Sequence, residues 1–191
     1  MNFDQIREGY DSDEEVYFTW YLDELVEAGM VKYYFKNTSP IKLTSEVTHN
    51  YVKKMKRVAD KQLTQTILKG SEYTPDFDIF FTAQAKGIFV SQIGDGTEKI
   101  DTPFIADASF PLVSVETKGS FDQNNMTRLV RNNIKFLYQR HGIFINLLMV
   151  PDIFKKTFTP QRYLLTNKTK KPRTINFKTI SLDQFINSKT N

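Results

Sequence analysis

Apolar positions recur at helical spacing over Val16, Tyr17, Trp20, Tyr21, Leu25 and Val26, which predicts an amphipathic helix near the start of the chain. Ser12 is its expected N-cap, Glu15 occupies the capping-box position and Gly29 ends it. A ring-rich strand is expected over residues 30–35 and an edge strand over 41–48. Residues 50–68, carrying Lys53, Lys54, Lys56, Arg57 and Lys61, are expected to form a basic helix. Strands follow at 73–81 and 110–117. A helix over 124–140 shows one face through Met126, Leu129, Val130, Asn133 and Leu137, and Gly142 ends it. An apolar strand spans 143–150, closed by Pro151; another strand pattern covers 174–180, a short capped helix begins at Ser181, and 187–191 should fray.

A chain of 191 residues suits one domain, here 1–191, with a buried core to which sixteen Phe and nine Tyr contribute. Cysteine is absent, which excludes a disulfide scaffold and thiolate metal sites and makes an intracellular, cytoplasmic location the expectation. No apolar run approaches the roughly eighteen residues of a membrane span, so no membrane partner is expected. Charge is unevenly distributed. Residues 1–30 hold nine acids and one base, whereas 155–173 hold seven bases and no acid.

Two short runs carry the candidate chemistry: Pro75-Asp76-Phe77-Asp78 and Val115-Glu116-Thr117-Lys118-Gly119. Side chains alternate along a strand, so Glu116 and Lys118 emerge on one face while Thr117 points to the other. Asp76 on a neighbouring strand would complete a hard oxygen site suited to Mg²⁺ or Mn²⁺, with Lys118 beside it as a cation for a phosphate or a water. Forty positions separate Asp76 from Glu116, which requires an insertion; residues 85–108, with a Gly-Asp-Gly turn around Asp95, supply it as an excursion on the rim of the site.

Together with Ser12-Asp13-Glu14-Glu15 upstream, the P-D and E-x-K-G runs resemble the signature of the PD-(D/E)xK nuclease superfamily, in particular phage endonucleases and Holliday junction resolvases. The resemblance covers roughly residues 10 to 150. It implies an α/β fold with a restriction-endonuclease-like α-β-β-β-α-β core, a central mixed sheet and flanking helices. It also implies a phage-encoded, Mg²⁺-dependent endodeoxyribonuclease that hydrolyses DNA at branched or recombination intermediates, acting as a homodimer. Glu15, Asp76, Glu116 and Lys118 would be the catalytic set, with one or two ions held by Asp76, Glu116, the Thr117 carbonyl and Glu15. The alternative is a nucleic-acid-binding protein that keeps the fold without cleaving.

Three residue-level alternatives stay open. Glu15 either caps its helix or faces the site, Glu14 is a second candidate turned about 100° away along the helix, and Asp107 is either a spare acid or a loop residue. DNA contacts are expected from Asn124, Asn125, Arg128 and Arg131 at the start of the 124–140 helix, and from Lys168, Lys170 and Lys171 in the basic C-terminal extension 151–191. His49 and His141 lie far apart without cysteine partners, which argues against a zinc hydrolase, and His141 is expected at a helix C-terminus. No nucleotide-binding glycine loop or G-x-S-x-G elbow is present.

Overall fold

The computed structural model describes residues 3–94, 96, 100–107, 110–119 and 126–190. Two compact units emerge, one formed by Thr38–Thr74 and the other by the segments on either side, Met1–Asn37 and Pro75–Asn191. The elements run in the order α1 (Phe3–Arg7), α2 (Asp13–Glu27), β1 (Val31–Lys36), β2 (Ile41–Thr44), β3 (Val47–Lys53), β4 (Lys61–Leu68), β5 (Ser71–Tyr73) and β6 (Phe77–Phe81). Then come β7 (Val90–Gln92), β8 (Phe104–Ala106), β9 (Leu112–Lys118), α3 (Met126–His141), β10 (Ile145–Met149), α4 (Val150–Lys156) and α5 (Leu182–Thr190). The protein is α/β.

A four-stranded mixed sheet, ordered β1-β6-β9-β10, organises the larger unit. The first two pairings are antiparallel and the last is parallel. Helix α2 covers one face because its apolar stripe, Phe18, Tyr21, Leu22 and Leu25, is fully buried in a core shared with Phe77, Ile79 and Phe81 of β6 and Val113 and Val115 of β9. Each such side chain contributes roughly 1.5–3 kcal/mol on burial. Tyr21 stacks on Phe158 with ring centroids 4.3 Å apart, and its hydroxyl lies 3.2 Å from Thr157 Oγ1. At the end of α2, Gly29 takes φ +73°, the left-handed conformation that its lack of a Cβ permits.

Within residues 85–108, Phe89, Val90, Phe104 and Ala106 are buried in that core, and β7 pairs parallel with β8. Buried Asn146 on β10 ties the segment to the sheet. Its Oδ1 accepts from Ile105 N–H at 2.8 Å, while its Nδ2 donates to the Ile105 carbonyl at 2.8 Å and to the Ser114 carbonyl at 3.3 Å. One amide side chain thus completes the backbone pairing of β8, where a ladder neighbour would otherwise be needed. The C-terminal residues also reach the core through Val150, Ile153, Phe154, Phe158, Leu182 and Phe185.

The smaller unit is a two-stranded antiparallel ribbon. Strand β2 pairs with β5, and β3 pairs with β4 from Val47↔Leu68 to Lys53↔Lys61. The helix expected over 50–68 is therefore absent. Val47, Thr48 and Val52 on one strand and Thr64, Thr66 and Ile67 on the other are β-branched and favour the pleat, while the lysines gather where the chain turns.

Other boundaries differ as well. Residues 174–180 form no ladder, although Phe177 and Ile180 pack on the core and Thr159 N–H donates to the Ile180 carbonyl. Pro151 opens α4 rather than merely ending a strand, as a residue without an N–H can in a first turn. Helix α5 runs to Thr190, beyond the expected fraying point. Its start is a reciprocal cap in which Ser181 N–H donates to Gln184 Oε1 and Gln184 N–H to Ser181 Oγ. Helix α3 ends at His141, followed by Gly142 at φ +68°. Among the described residues no helix is long and apolar enough to cross a membrane.

Candidate functional site

Antiparallel pairing of β6 with β9 sets Phe77 opposite Val115, so Asp76, just before β6, arrives beside Glu116 and Thr117. Asp76 Oδ2 accepts two hydrogen bonds from Thr117, from its N–H at 2.6 Å and its hydroxyl at 2.7 Å. The Asp76 carbonyl accepts from Asn37 N–H at 2.9 Å, which fixes the end of β1 to the same point. Two residues on, Asp78 accepts a short hydrogen bond from Ser114 Oγ and is held within the sheet.

Glu116 is buried, and its Oε1 accepts from Lys118 Nζ at 2.6 Å on the same strand face, as the i, i+2 alternation requires. Burial and the neighbouring charge of Glu116 push the Asp76 carboxyl up to about 6, against the two Thr117 hydrogen bonds that lower it; Glu15 adds to the rise. Burial alone would weaken the charge on Lys118, but its hydrogen bond to Glu116 and the carboxylates of Glu116, Asp76 and Glu15 outweigh that and raise its pKa. Asp76 and Lys118 thus each feel the charges of Glu116 and Glu15.

Glu15 caps its helix. Its N–H donates to Ser12 Oγ at 3.2 Å, and its carboxylate accepts from Ser12 Oγ at 3.2 Å and from Asp11 N–H at 3.3 Å. Only 4% exposed, it also pairs with Lys36 Nζ at 3.1 Å. Lys36, at the end of β1, reaches Asp11 at 3.0 Å and the Gly9 carbonyl at 3.2 Å, and lies 5.3 Å from the centre of the Tyr10 ring. Glu14, ranked below Glu15 on the sequence, lies against Gly119, its carboxylate filling the space a Cβ there would need. The glycine that ends E-x-K-G thus leaves room for a further acid.

Lys36 and Tyr10 went unnoticed in the sequence. The available signal was the position of Lys36 at the end of the strand that pairs with the P-D strand. Among the described residues, no group of three or more His, Cys, Asp or Glu side chains is close enough to hold a metal ion. The oxygen donors gather as the coupled pair Asp76 and Glu116, with Glu15 engaged by Lys36 and its own cap. No protein-family model, curated protein or solved structure matches the chain.

The expected DNA-contact residues occupy different places. Asn124 and Asn125 lie outside the described residues. Arg128 and Arg131 are exposed on α3, and Arg131 lines a cleft of about 620 Å³ with Asp152, Lys156 and Lys189, whose walls contain none of the four site residues. Lys168, Lys170 and Lys171 are exposed in a loop anchored on α2. Asn167 Nδ2 donates to the Tyr17 hydroxyl at 3.0 Å, the Arg173 guanidinium lies 5.0 Å from the Tyr17 ring centre, and Lys168 shares a depression with Asp13. Asp107 accepts from Phe144 N–H at 3.1 Å, a loop-fixing role.

Proposed function

We propose that the protein is a metal-dependent endonuclease that hydrolyses DNA phosphodiester bonds, using Asp76, Glu116 and Lys118 with Glu15 in support. The single observation that carries this is the seating of Asp76 on Thr117, at 2.6 and 2.7 Å, between Glu116 and Lys118, which pair at 2.6 Å on the neighbouring strand. With β2–β5 and β7–β8 set aside as insertions, the order α2, β1, β6, β9, α3, β10 supports the α-β-β-β-α-β core that the resemblance implies.

Asp76 and Glu116 suit a hard divalent cation such as Mg²⁺ or Mn²⁺, which takes one or two carboxylates and keeps several waters. Lys118 compensates the charge of Glu116, but the Asp76 carboxyl is still pushed up by burial and by Glu116, a rise that a cation between the two carboxylates would relieve. When bound, the ion supplies Lewis-acid polarisation of the phosphate and a water of lowered pKa. Thr117 holds one Asp76 oxygen in place, leaving the other for an incoming ligand. Lys118 keeps its proton and neutralises charge that develops on the phosphate oxygens. Glu15 and Lys36 hold the first turn of α2 against the end of β1, next to Asp76.

The test is cleavage of linear duplex, single-stranded, flap and four-way junction DNA with and without Mg²⁺, comparing the native chain with Asp76→Asn and Lys118→Met. Metal-dependent cutting lost in both variants is the expected result, and a preference for the junction would favour branched DNA as the substrate. DNA binding without cutting on every substrate would instead favour a non-catalytic binding protein.

A further inference from the structure

The chain's formal charge of +4 is carried entirely by the ribbon unit. Residues 38–74 hold seven bases, Lys42, Lys53, Lys54, Lys56, Arg57, Lys61 and Lys69, against three acids, Glu46, Asp60 and Glu72, while the rest of the chain holds nineteen of each. Five of those bases fall within residues 53–61, around the turn that joins β3 to β4.

The β3–β4 part of the ribbon has no buried face. Every residue of β3 is exposed, as is every residue of β4 except Leu63. The pairing puts Tyr51 opposite Leu63 and His49 opposite Gln65 on one side, with Val52 opposite Gln62 and Asn50 opposite Thr64 on the other. Exposed Val47, Ile67 and Leu68 form an apolar end to the ribbon, with Val47 opposite Leu68, but His49 opposite Gln65 separates it from Tyr51 and Leu63, so no unbroken apolar strip runs to the basic turn. A two-stranded ribbon alone gains little from burial and is marginal in water.

We infer that this ribbon is a duplex-DNA-binding arm, with Lys53, Lys54, Lys56, Arg57 and Lys61 contacting the phosphates. The match is one of charge and shape. Seven residues of β3 extend about 24 Å, and a two-stranded ribbon is narrow enough to enter the B-form major groove, whereas the A-form RNA major groove is too narrow to admit it. Residues 53–61 carry no aromatic ring, so the turn offers no platform on which unpaired bases would stack. Exposed Met55 and Val58 add apolar contact beside the cations. The inference shares the DNA substrate of the proposed function but needs no cleavage.

The experiment measures binding of the full chain to a fluorescent linear duplex in EDTA over a series of salt concentrations, with single-stranded DNA and an RNA duplex of the same sequence as competitors. Replacing Lys53, Lys54, Lys56 and Arg57 together by Gln should weaken duplex binding about 10- to 100-fold near 0.1 M salt and reduce the log-log salt slope by about two to three. A second variant joins Lys53 to Lys61 through an Asn-Gly turn, which suits a two-residue hairpin; it removes Lys54, Lys56 and Arg57 together with Asp60 and should lose affinity in the same direction, by less, with an unchanged thermal transition. Unchanged affinity and slope in both variants, or equal competition by the RNA duplex or single strand, would overturn the assignment. Loss of binding in these variants beside a native chain that cuts nothing would uphold the arm while removing the nuclease proposal.

Discussion

Thr117 donates both its N–H and its hydroxyl to the same oxygen of Asp76, at 2.6 and 2.7 Å, so the residue between Glu116 and Lys118 positions a carboxylate forty-one places earlier. Both bonds favour the ionised form. Thr117→Val keeps the backbone bond and the side-chain shape but removes the hydroxyl. Its expected effect is a higher Asp76 pKa, seen as an upward shift in the acid limb of the cleavage pH profile and in an NMR titration of Asp76. An unmoved limb would mean that Asp76 does not control the profile.

Asp76 should make the metal-free protein less stable as pH rises. Its folded pKa, about 6, lies above the ordinary value of 3.8, so between those limits the folded state binds more protons than the unfolded chain. Stability then falls from about pH 4 to about pH 6 by up to about 3 kcal/mol and stays lower above that window. Asp76→Asn still accepts from Thr117 and should abolish this decline while abolishing cleavage. Thermal unfolding at several pH values in EDTA checks the sign. Added Mg²⁺ should raise the transition of the native chain near pH 7.5 and leave that of the variant unchanged.

Glu15→Gln separates capping from participation in the site. Gln still accepts from Ser12 and Asp11, so the capping cost should stay below about 1 kcal/mol, with some further loss from the Lys36 pair. Cleavage should fall at least tenfold. Denaturant unfolding beside turnover measures both, and intact turnover would reduce Glu15 to a cap.

Asn146→Ala removes the amide that pairs with both backbone groups of half-buried Ile105. The expected loss is about 1–3 kcal/mol, read from denaturant unfolding, with faster amide exchange at Ile105. Exchange that is unaltered at Ile105 would mean that water replaces the amide.

Sequence periodicity made α2, β1, β9 and α3 legible because each carries a local signal: a reciprocal cap and helical stripe, a run of rings, an alternating strand, or an apolar face ended by glycine. The same locality misread residues 50–68, where lysine density in the turn obscured the β-branched residues on either side. Asn146 escaped for the opposite reason. Its partner lies forty-one residues away and leaves no periodic trace.

For the candidate site, the sequence by itself determined the residue types and the shared face of Glu116 and Lys118, since alternation along one strand needs no partner. Only the tertiary structure decided that Asp76 meets Thr117, that Lys36 closes on Glu15 and that Glu14 lies against Gly119. Those contacts depend on which strands pair and in what register. That pairing follows from how the aromatic core of α2, β6 and β9 packs, a cooperative property that no short stretch of sequence carries alone.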